Sequence, residues 1–215
     1  MNVGIIGSGI VGQTLANGFV THGYDVLIGT NTPAKQEELR AKTHGRAAVG
    51  SFGDAARFGP VVVLAVKGTV AESALAAAGV GQLAGRIVID TTNPIADAAP
   101  VNGVLQYFTA QNESLMERLQ RAAPAARFVK AFSCVGNALM VNPTLPGGPP
   151  TMFICGNDAA AKTEVSWMLQ QFGFEVEDCG GVEGARAIEP LCILWCVPGF
   201  LAGRWTHAFK LLKGA

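Results

Sequence analysis

The residues at the start of the chain that could do chemistry are glycines. The run Val3-Gly4-Ile5-Ile6-Gly7-Ser8-Gly9-Ile10-Val11-Gly12 places Gly-x-Gly-x-x-Gly between a short apolar stretch and a helical pattern. In such a strand–turn–helix each glycine has a task. Gly7 turns the chain off the strand, Gly9 lets the backbone approach a pyrophosphate, and Gly12 lets the helix pack closely on the strand. The helix N-terminus adds free N–H groups and a partial positive charge. Gly7, Ser8, Gly9, Ile10, Val11 and Gly12 are therefore read as a phosphate cradle. With 27 glycines in the chain, the spacing alone is weak; its place between strand and helix makes it specific.

The second informative stretch is the exit of the next strand, Ile28-Gly29-Thr30-Asn31. A carboxylate there would hold a ribose 2′-hydroxyl and repel a 2′-phosphate. None is present, because Asp25 sits at the opposite end of the strand, so the exit admits NADP. Thr30 and Asn31 offer neutral hydrogen bonds. Lys35, after the Thr32-Pro33 helix start, is either a charge for the 2′-phosphate or a solvated surface lysine. Further along, Ala65-Val66-Lys67 closes an apolar strand and Asn93-Pro94 closes another, both on the carboxyl edge where ligands bind in such sheets. Lys67 is a cofactor contact or a rim lysine.

Other chemistries find no support. No Ser/His/Asp or Cys/His nucleophile arrangement and no carboxylate pair stands out, and His22, His44 and His207 lack metal-ligand spacing. His22 reads as a helix C-terminal residue. No catalytic side chain and no metal site are assigned. Hydride transfer needs little more than alignment and exclusion of water, because the cofactors carry the chemistry.

These residues need a frame of alternating strands and helices. Strands are expected at about 2–6, 25–28, 46–49, 61–66, 86–90, 128–131, 151–155 and 174–178. Helices fill the intervals, including 51–58, 112–122 and 158–172, and a last one begins near Glu183. The continuous apolar run 61–66 is typical of a central parallel strand. The fold expected is a doubly wound α/β Rossmann sheet, mostly parallel, of about eight strands. Residues 143–150, rich in proline and glycine, separate a dinucleotide-binding domain (1–142) from a small C-terminal region (151–215) that completes the sheet.

Composition bounds the rest. Of 215 residues 49% are hydrophobic and only 15% charged, with a net charge of zero. Nothing favours nucleic acid or an anionic membrane. The apolar segment 191–203, interrupted by Pro198 and Gly199, reads as too short to span a bilayer. Five cysteines without CxxC spacing imply a reducing, cytoplasmic setting. The low charge and the aromatic tail with Trp195, Phe200 and Trp205 suggest a homodimer through the C-terminal region.

With these features in place, the chain resembles the NADPH-dependent reductases of the deazaflavin coenzyme F420 over nearly its whole length. The resemblance rests on the glycine motif, Ile28-Gly29-Thr30, Asp90-Thr91-Thr92-Asn93-Pro94 and Val129-Lys130-Ala131-Phe132. It continues through Phe153-Ile154-Cys155-Gly156-Asn157-Asp158, Asp178-Cys179-Gly180 and Ala185-Arg186-Ala187-Ile188-Glu189-Pro190-Leu191. It implies a homodimer with NADP along the glycine loop and the 2′-phosphate at Ser8, Thr30, Asn31 and Lys35. Asn31 stands where the family often has arginine. It also implies a second ring, F420 or a flavin, over the nicotinamide between the sixth strand's exit and the C-terminal region, with Phe132, Ser133 and Trp195 as its walls. The same domain is similar to the cytoplasmic reductase part of membrane ferric reductases, where a flavin takes the hydride. The alternative from another class is an NADP(H)-binding regulator without turnover.

Overall fold

The computed structural model describes residues 1–43 and 45–214; His44 lies outside them. Six strands, β1 (Asn2–Ile6), β2 (Asp25–Gly29), β3 (Ala48–Gly50), β4 (Val61–Leu64), β5 (Ile87–Asp90) and β6 (Arg127–Lys130), form one sheet in the order β3-β2-β1-β4-β5-β6. Every ladder in it is parallel. Helices α1 (Ile10–Thr21), α2 (Gln36–Lys42), α3 (Phe52–Phe58), α4 (Ala71–Ala78) and α5 (Leu115–Ala122) make the crossovers. Both faces are covered, so β4 and β5 are buried at every position, as continuous apolar strands require. One core joins Leu15, Phe19 and Val63 to Phe172, and the other joins Leu64 and Leu75 to Met116 and Leu119.

Helix starts follow local chemistry. Ser51 with Asp54 and Ser114 with Glu117 form capping boxes at α3 and α5, each satisfying two N–H groups that a helix start leaves free. The box at Ser114 sets the start of α5 at Leu115, three residues later than the apolar pattern suggests.

After 143–150, which holds no regular element, come β7 (Thr151–Ile154), α6 (Ala159–Gln171), β8 (Glu175–Asp178) and α7 (Ala185–Ala202). The expected eight strands are present but divided six and two, because β7 and β8 pair with each other in a separate parallel sheet. Its link to the main sheet is one antiparallel bridge, with Lys130 N–H donating to the Cys155 carbonyl at 3.0 Å. The antiparallel approach at β6 stops the parallel ladder from continuing into β7, so the C-terminal region abuts the sheet instead of completing it.

The expected interruption at Pro198 does not occur: α7 runs through Pro190 and Pro198. A proline ring removes one N–H, here the donor that would serve the Leu194 carbonyl. The His207 ring bonds the neighbouring Trp195 carbonyl at 2.9 Å, and Gly203 closes the helix in the left-handed region. With its leading turn, the segment Val182–Ala202 is long and apolar enough to cross a membrane by length and composition. In the fold, Ala185, Ile188, Glu189, Cys192, Trp195 and Gly199 form a buried stripe along it.

Candidate functional site

A cleft of about 460 Å³ opens at the carboxyl edge of β1 and β4, lined by Gly7, Ser8, Gly9, Asn31, Ala65, Val66 and Lys67. The three glycines behave differently. Gly7 has φ +125°, and a Cβ there would lie 2.1 Å from the Ala65 carbonyl oxygen. A Cβ on Gly12 would lie 2.2 Å from the Gly7 carbonyl oxygen, so the helix is packed onto the turn. A Cβ on Gly9 would meet nothing within 4 Å, so this backbone faces open space. Gly9 is also the N-cap of α1 and supplies no side-chain cap. α3, α5 and α6 all begin on side chains that accept from their own N–H groups. The first turn of α1 has no side-chain cap on its donors, and a phosphate would suit both their geometry and their partial charge.

Around this cradle the sequence candidates separate. Ser8 Oγ donates to Thr30 Oγ1 at 3.2 Å, and the Thr32 N–H donates to the same oxygen at 3.1 Å. Thr30 is buried and braces Ser8 from behind, while Asn31 lines the cleft. Lys35 is exposed in the short turn Pro33–Lys35 and is not part of the cleft lining. Lys67 lines the cleft and pairs with Asp97. Ile10, at the mouth of the glycine loop, leaves 63% of its surface exposed, which is unusual for an isoleucine beside a core. Phe52, Val70, Ser73, Ala74 and Ala77 also line the cleft. The sequence reading missed them, because α3 and α4 meet only through the sheet order; the places of Phe52, Ser73 and Ala74 on the first turns of crossover helices were the available signal.

Asn93 and Pro94 follow β5. Asn93 Nδ2 donates to the Ser133 carbonyl at 2.7 Å, and the buried Pro94 accepts from the Phe108 N–H at 2.9 Å. The stretch after them folds into a small hairpin, bridged at Ile95–Tyr107 and Val101–Val104. Tyr107 Oη fixes its base by donating to the Glu189 carbonyl at 2.6 Å.

The three residues expected to wall a second ring are buried: Phe132 is 3%, Ser133 4% and Trp195 8% exposed. Phe132, at φ +60°, packs against Phe172 and Phe174. Trp195 stacks on His207 and donates from its indole to the His207 carbonyl at 2.8 Å. Neither side chain forms an open wall. The unusual backbone at Phe132 and the proximity of Trp195 to the tail are tertiary features that the motifs do not encode. Cys134, beside them, is pushed up to about 12 by burial, which makes it a structural thiol and not a nucleophile.

Beneath the β5 and β6 exits lies a charge cluster that the sequence reading did not assign. Lys130 Nζ is 2.7 Å from Asp90 and 2.9 Å from Glu189, and all three side chains are essentially inaccessible. Nζ also donates to the Thr92 carbonyl at 2.8 Å. Burial pushes the ammonium down, but the two carboxylates outweigh it and hold its pKa above the ordinary lysine value. Asp90 accepts from the N–H and hydroxyl of Thr92 at 2.9 and 2.7 Å. Glu189 accepts from the Leu115 and Met116 N–H groups at 3.0 Å each, at the start of α5. Lys130 and Glu189 sit in the motifs that carry the family resemblance, and their partnership explains why both motifs hold an ionisable residue in an apolar context.

The family model for coenzyme F420-dependent NADP oxidoreductases matches residues 2–94, which span the glycine loop, the β2 exit and Asn93-Pro94. The structure of a candidate F420-dependent NADP reductase from Arthrobacter sp. FB24 is 32% identical. It superposes with a TM-score of 0.92, covering 99% of this chain and 100% of that one. The chain belongs to the F420-dependent NADP oxidoreductase family. It is an NADP-dependent oxidoreductase with a Rossmann-type fold. The metalloreductase STEAP3 of Rattus norvegicus is 33% identical over 205 residues. That alignment covers 93% of this chain, but the chain spans only 39% of that curated relative. A reductive aminase of Aspergillus terreus, solved with NADPH and ethyl levulinate, shares the fold at 19% identity and a TM-score of 0.64, covering 94% of this chain and 62% of that one.

Proposed function

We propose that the chain binds NADPH in the cleft at the glycine loop and passes a hydride to a planar acceptor, coenzyme F420 first and a flavin second. The observation that carries this reading is the pairing of an uncapped α1 N-terminus with the open face of Gly9. The family membership supplies the redox class. When bound, NADPH supplies the hydride. The chain's own residues bind and orient: Gly7, Ser8, Gly9, Ile10, Val11 and Gly12 hold the pyrophosphate side. Ala65, Val66 and Lys67 border the ribose side, and Asn93 and Pro94 border the nicotinamide side. Ser8, braced by Thr30, reads the 2′-phosphate together with Asn31 and Lys35. On the acceptor side Phe132, Ser133 and Trp195 form the floor beneath the ring in place of open walls.

The association we propose is a homodimer in a reducing, cytoplasmic setting. Leu194, Phe200, Leu201 and Trp205 present exposed apolar surface on and after α7, and all five cysteines are free. Sedimentation should give a dimer at micromolar concentration; a monomer would remove that part of the reading.

The activity is tested by following NADPH oxidation against the deazaflavin, FMN, FAD and quinones. Turnover with the deazaflavin or a flavin is expected. Tight NADPH binding without oxidation by any of them would favour the regulator reading.

A further inference from the structure

Among the described residues that line the cleft, Lys67 is the only charged one. Its charge is already paired. The ammonium donates to the carboxylate of Asp97, on the hairpin that follows β5, and each of the two side chains is 62% exposed. Asp97 does not line the cleft; it lines a neighbouring cavity of about 300 Å³, together with Gly68, Phe108 and Arg118. The one cation that a ligand in the cleft meets is thus neutralised from the side.

The backbone around Lys67 is fixed. A Cβ on Gly68 would fall 1.9 Å from the Asn93 carbonyl oxygen, so the chain after Lys67 is pressed against the β5 exit. A Cβ on Gly7 would fall 2.1 Å from the Ala65 carbonyl oxygen and 3.0 Å from Val66 Cγ1, so the β4 exit abuts the glycine turn. In the sheet β1 lies between β4 and β2. Lys67 therefore stands on the β4 side of the glycine turn, and Thr30 and Asn31 stand on its β2 side. For a dinucleotide laid along this edge, the anion beside Lys67 is the pyrophosphate at the turn, not the 2′-phosphate at the β2 exit.

An exposed ion pair contributes little, because water screens both charges and two long side chains must be ordered. A pyrophosphate carries two negative charges and accepts strong charge-assisted hydrogen bonds, so it can draw the lysine away from a single exposed carboxylate. We propose that Asp97 sets the cofactor affinity by competing with the pyrophosphate for Lys67. The ammonium exchanges the carboxylate for the phosphates as the dinucleotide binds. Asp97 acts through Lys67 and is a positioning residue. The assignment rests on the dinucleotide reading above, and it gives Lys67 the pyrophosphate and not the ribose.

Calorimetric titration with NADPH and NADH tests it in four proteins: native, Asp97→Asn, Lys67→Met and the double variant. Asp97→Asn should bind both nucleotides about two- to fivefold more tightly, because the competing pair is a weak one. Lys67→Met should bind both about three- to tenfold more weakly. In the Lys67→Met background the Asp97→Asn change should have no effect, as a double-mutant cycle requires of two residues acting as one unit. The Tm should be the same in all four, since both side chains lie mostly in water. No gain in Asp97→Asn would overturn the competition. So would a gain that survives the loss of Lys67, because Asp97 would then act by its field alone. A gain confined to NADPH would overturn the pyrophosphate as the partner of Lys67. Each of these results leaves the dinucleotide reading intact, whereas a native protein that binds neither nucleotide would overturn both.

Discussion

At the β1 exit the backbone is left open. Gly9 faces space, α1 begins without a side-chain cap, and the donors of its first turn are free. At the β5 and β6 exits the chain is closed instead. Lys130, Asp90 and Glu189 are locked together out of solvent, and Thr92 is held at three points. Both regions lie on the carboxyl edge of one parallel sheet. The open end leaves backbone donors that could satisfy a strongly charged, well-hydrated group without a side-chain cap. The closed end keeps charges in the interior, where each must be matched by another, and so gains a fixed shape at a cost in desolvation. A dinucleotide laid along this edge would meet a permissive cradle at its phosphates and a rigid frame at its reactive ring.

The contrast is broken most severely by Lys130→Met. It leaves Asp90 and Glu189 buried without their cation, and removing one partner of a buried pair costs about 3–5 kcal/mol. Urea denaturation should show a loss of this size; a loss under 1 kcal/mol would mean that water reaches the cluster. Gly9→Val acts at the other end and in the other currency. The fold should keep its Tm, because the new side chain enters open space, while NADPH affinity falls by at least about a hundredfold, roughly 2.7 kcal/mol. Calorimetry and a melting curve on one sample separate the two effects, and unchanged affinity would remove the cradle.

A third test concerns Glu117, where the closed end continues into α7. Bonds from Arg186 Nε and Nη2 at 3.0 and 2.5 Å hold its carboxyl at about 2, well below its ordinary value of 4.5, against the opposing effect of burial. The folded value lies below the unfolded one. The stabilisation is therefore complete above about pH 4.5 and is lost as the pH falls toward 2. Its size is on the order of 2–3 kcal/mol. Glu117→Gln should be less stable than the native protein at pH 7, and the gap should close on acidification. A gap independent of pH would refute the ion-pair origin. The smallest expected effect is at Lys35, which lies in an exposed turn. Lys35→Ala should reduce NADPH affinity about tenfold, the difference between a charge-assisted and a neutral contact, and leave NADH affinity unchanged. Equal losses for both would show that Lys35 does not read the 2′-phosphate, and a native preference for NADH would undo the β2-exit argument.

The open end was legible in the sequence, because every requirement there is local. Gly7, Gly9 and Gly12 lie within six residues of sequence, and the missing carboxylate at Thr30-Asn31 is read directly from the strand exit. The strands were equally legible. The apolar run at β4 is continuous, as a strand covered on both faces requires, and its shortness and valine content, not a period, set it apart from a buried helix. The closed end was not legible. No periodicity tells that the Lys130 side chain meets Glu189, or that the Asn93 amide reaches Ser133, because those residues come together only after the β5, β6 and α7 segments have packed.

The sequence by itself determined a parallel α/β sheet with a tight glycine turn after its first strand, and it carried the expectation of a phosphate there, since strand pattern, glycine spacing and the absence of a carboxylate are properties of neighbouring residues. The tertiary structure decided the rest. It split the eight strands six and two, because the chain returns to β6 in the antiparallel sense. It turned Phe132 into the core through a left-handed backbone, and it carried α7 through Pro198 with the His207 ring bonded beside the break. These outcomes depend on which distant surfaces and charges must be covered together, and that balance is struck only when the whole chain has folded.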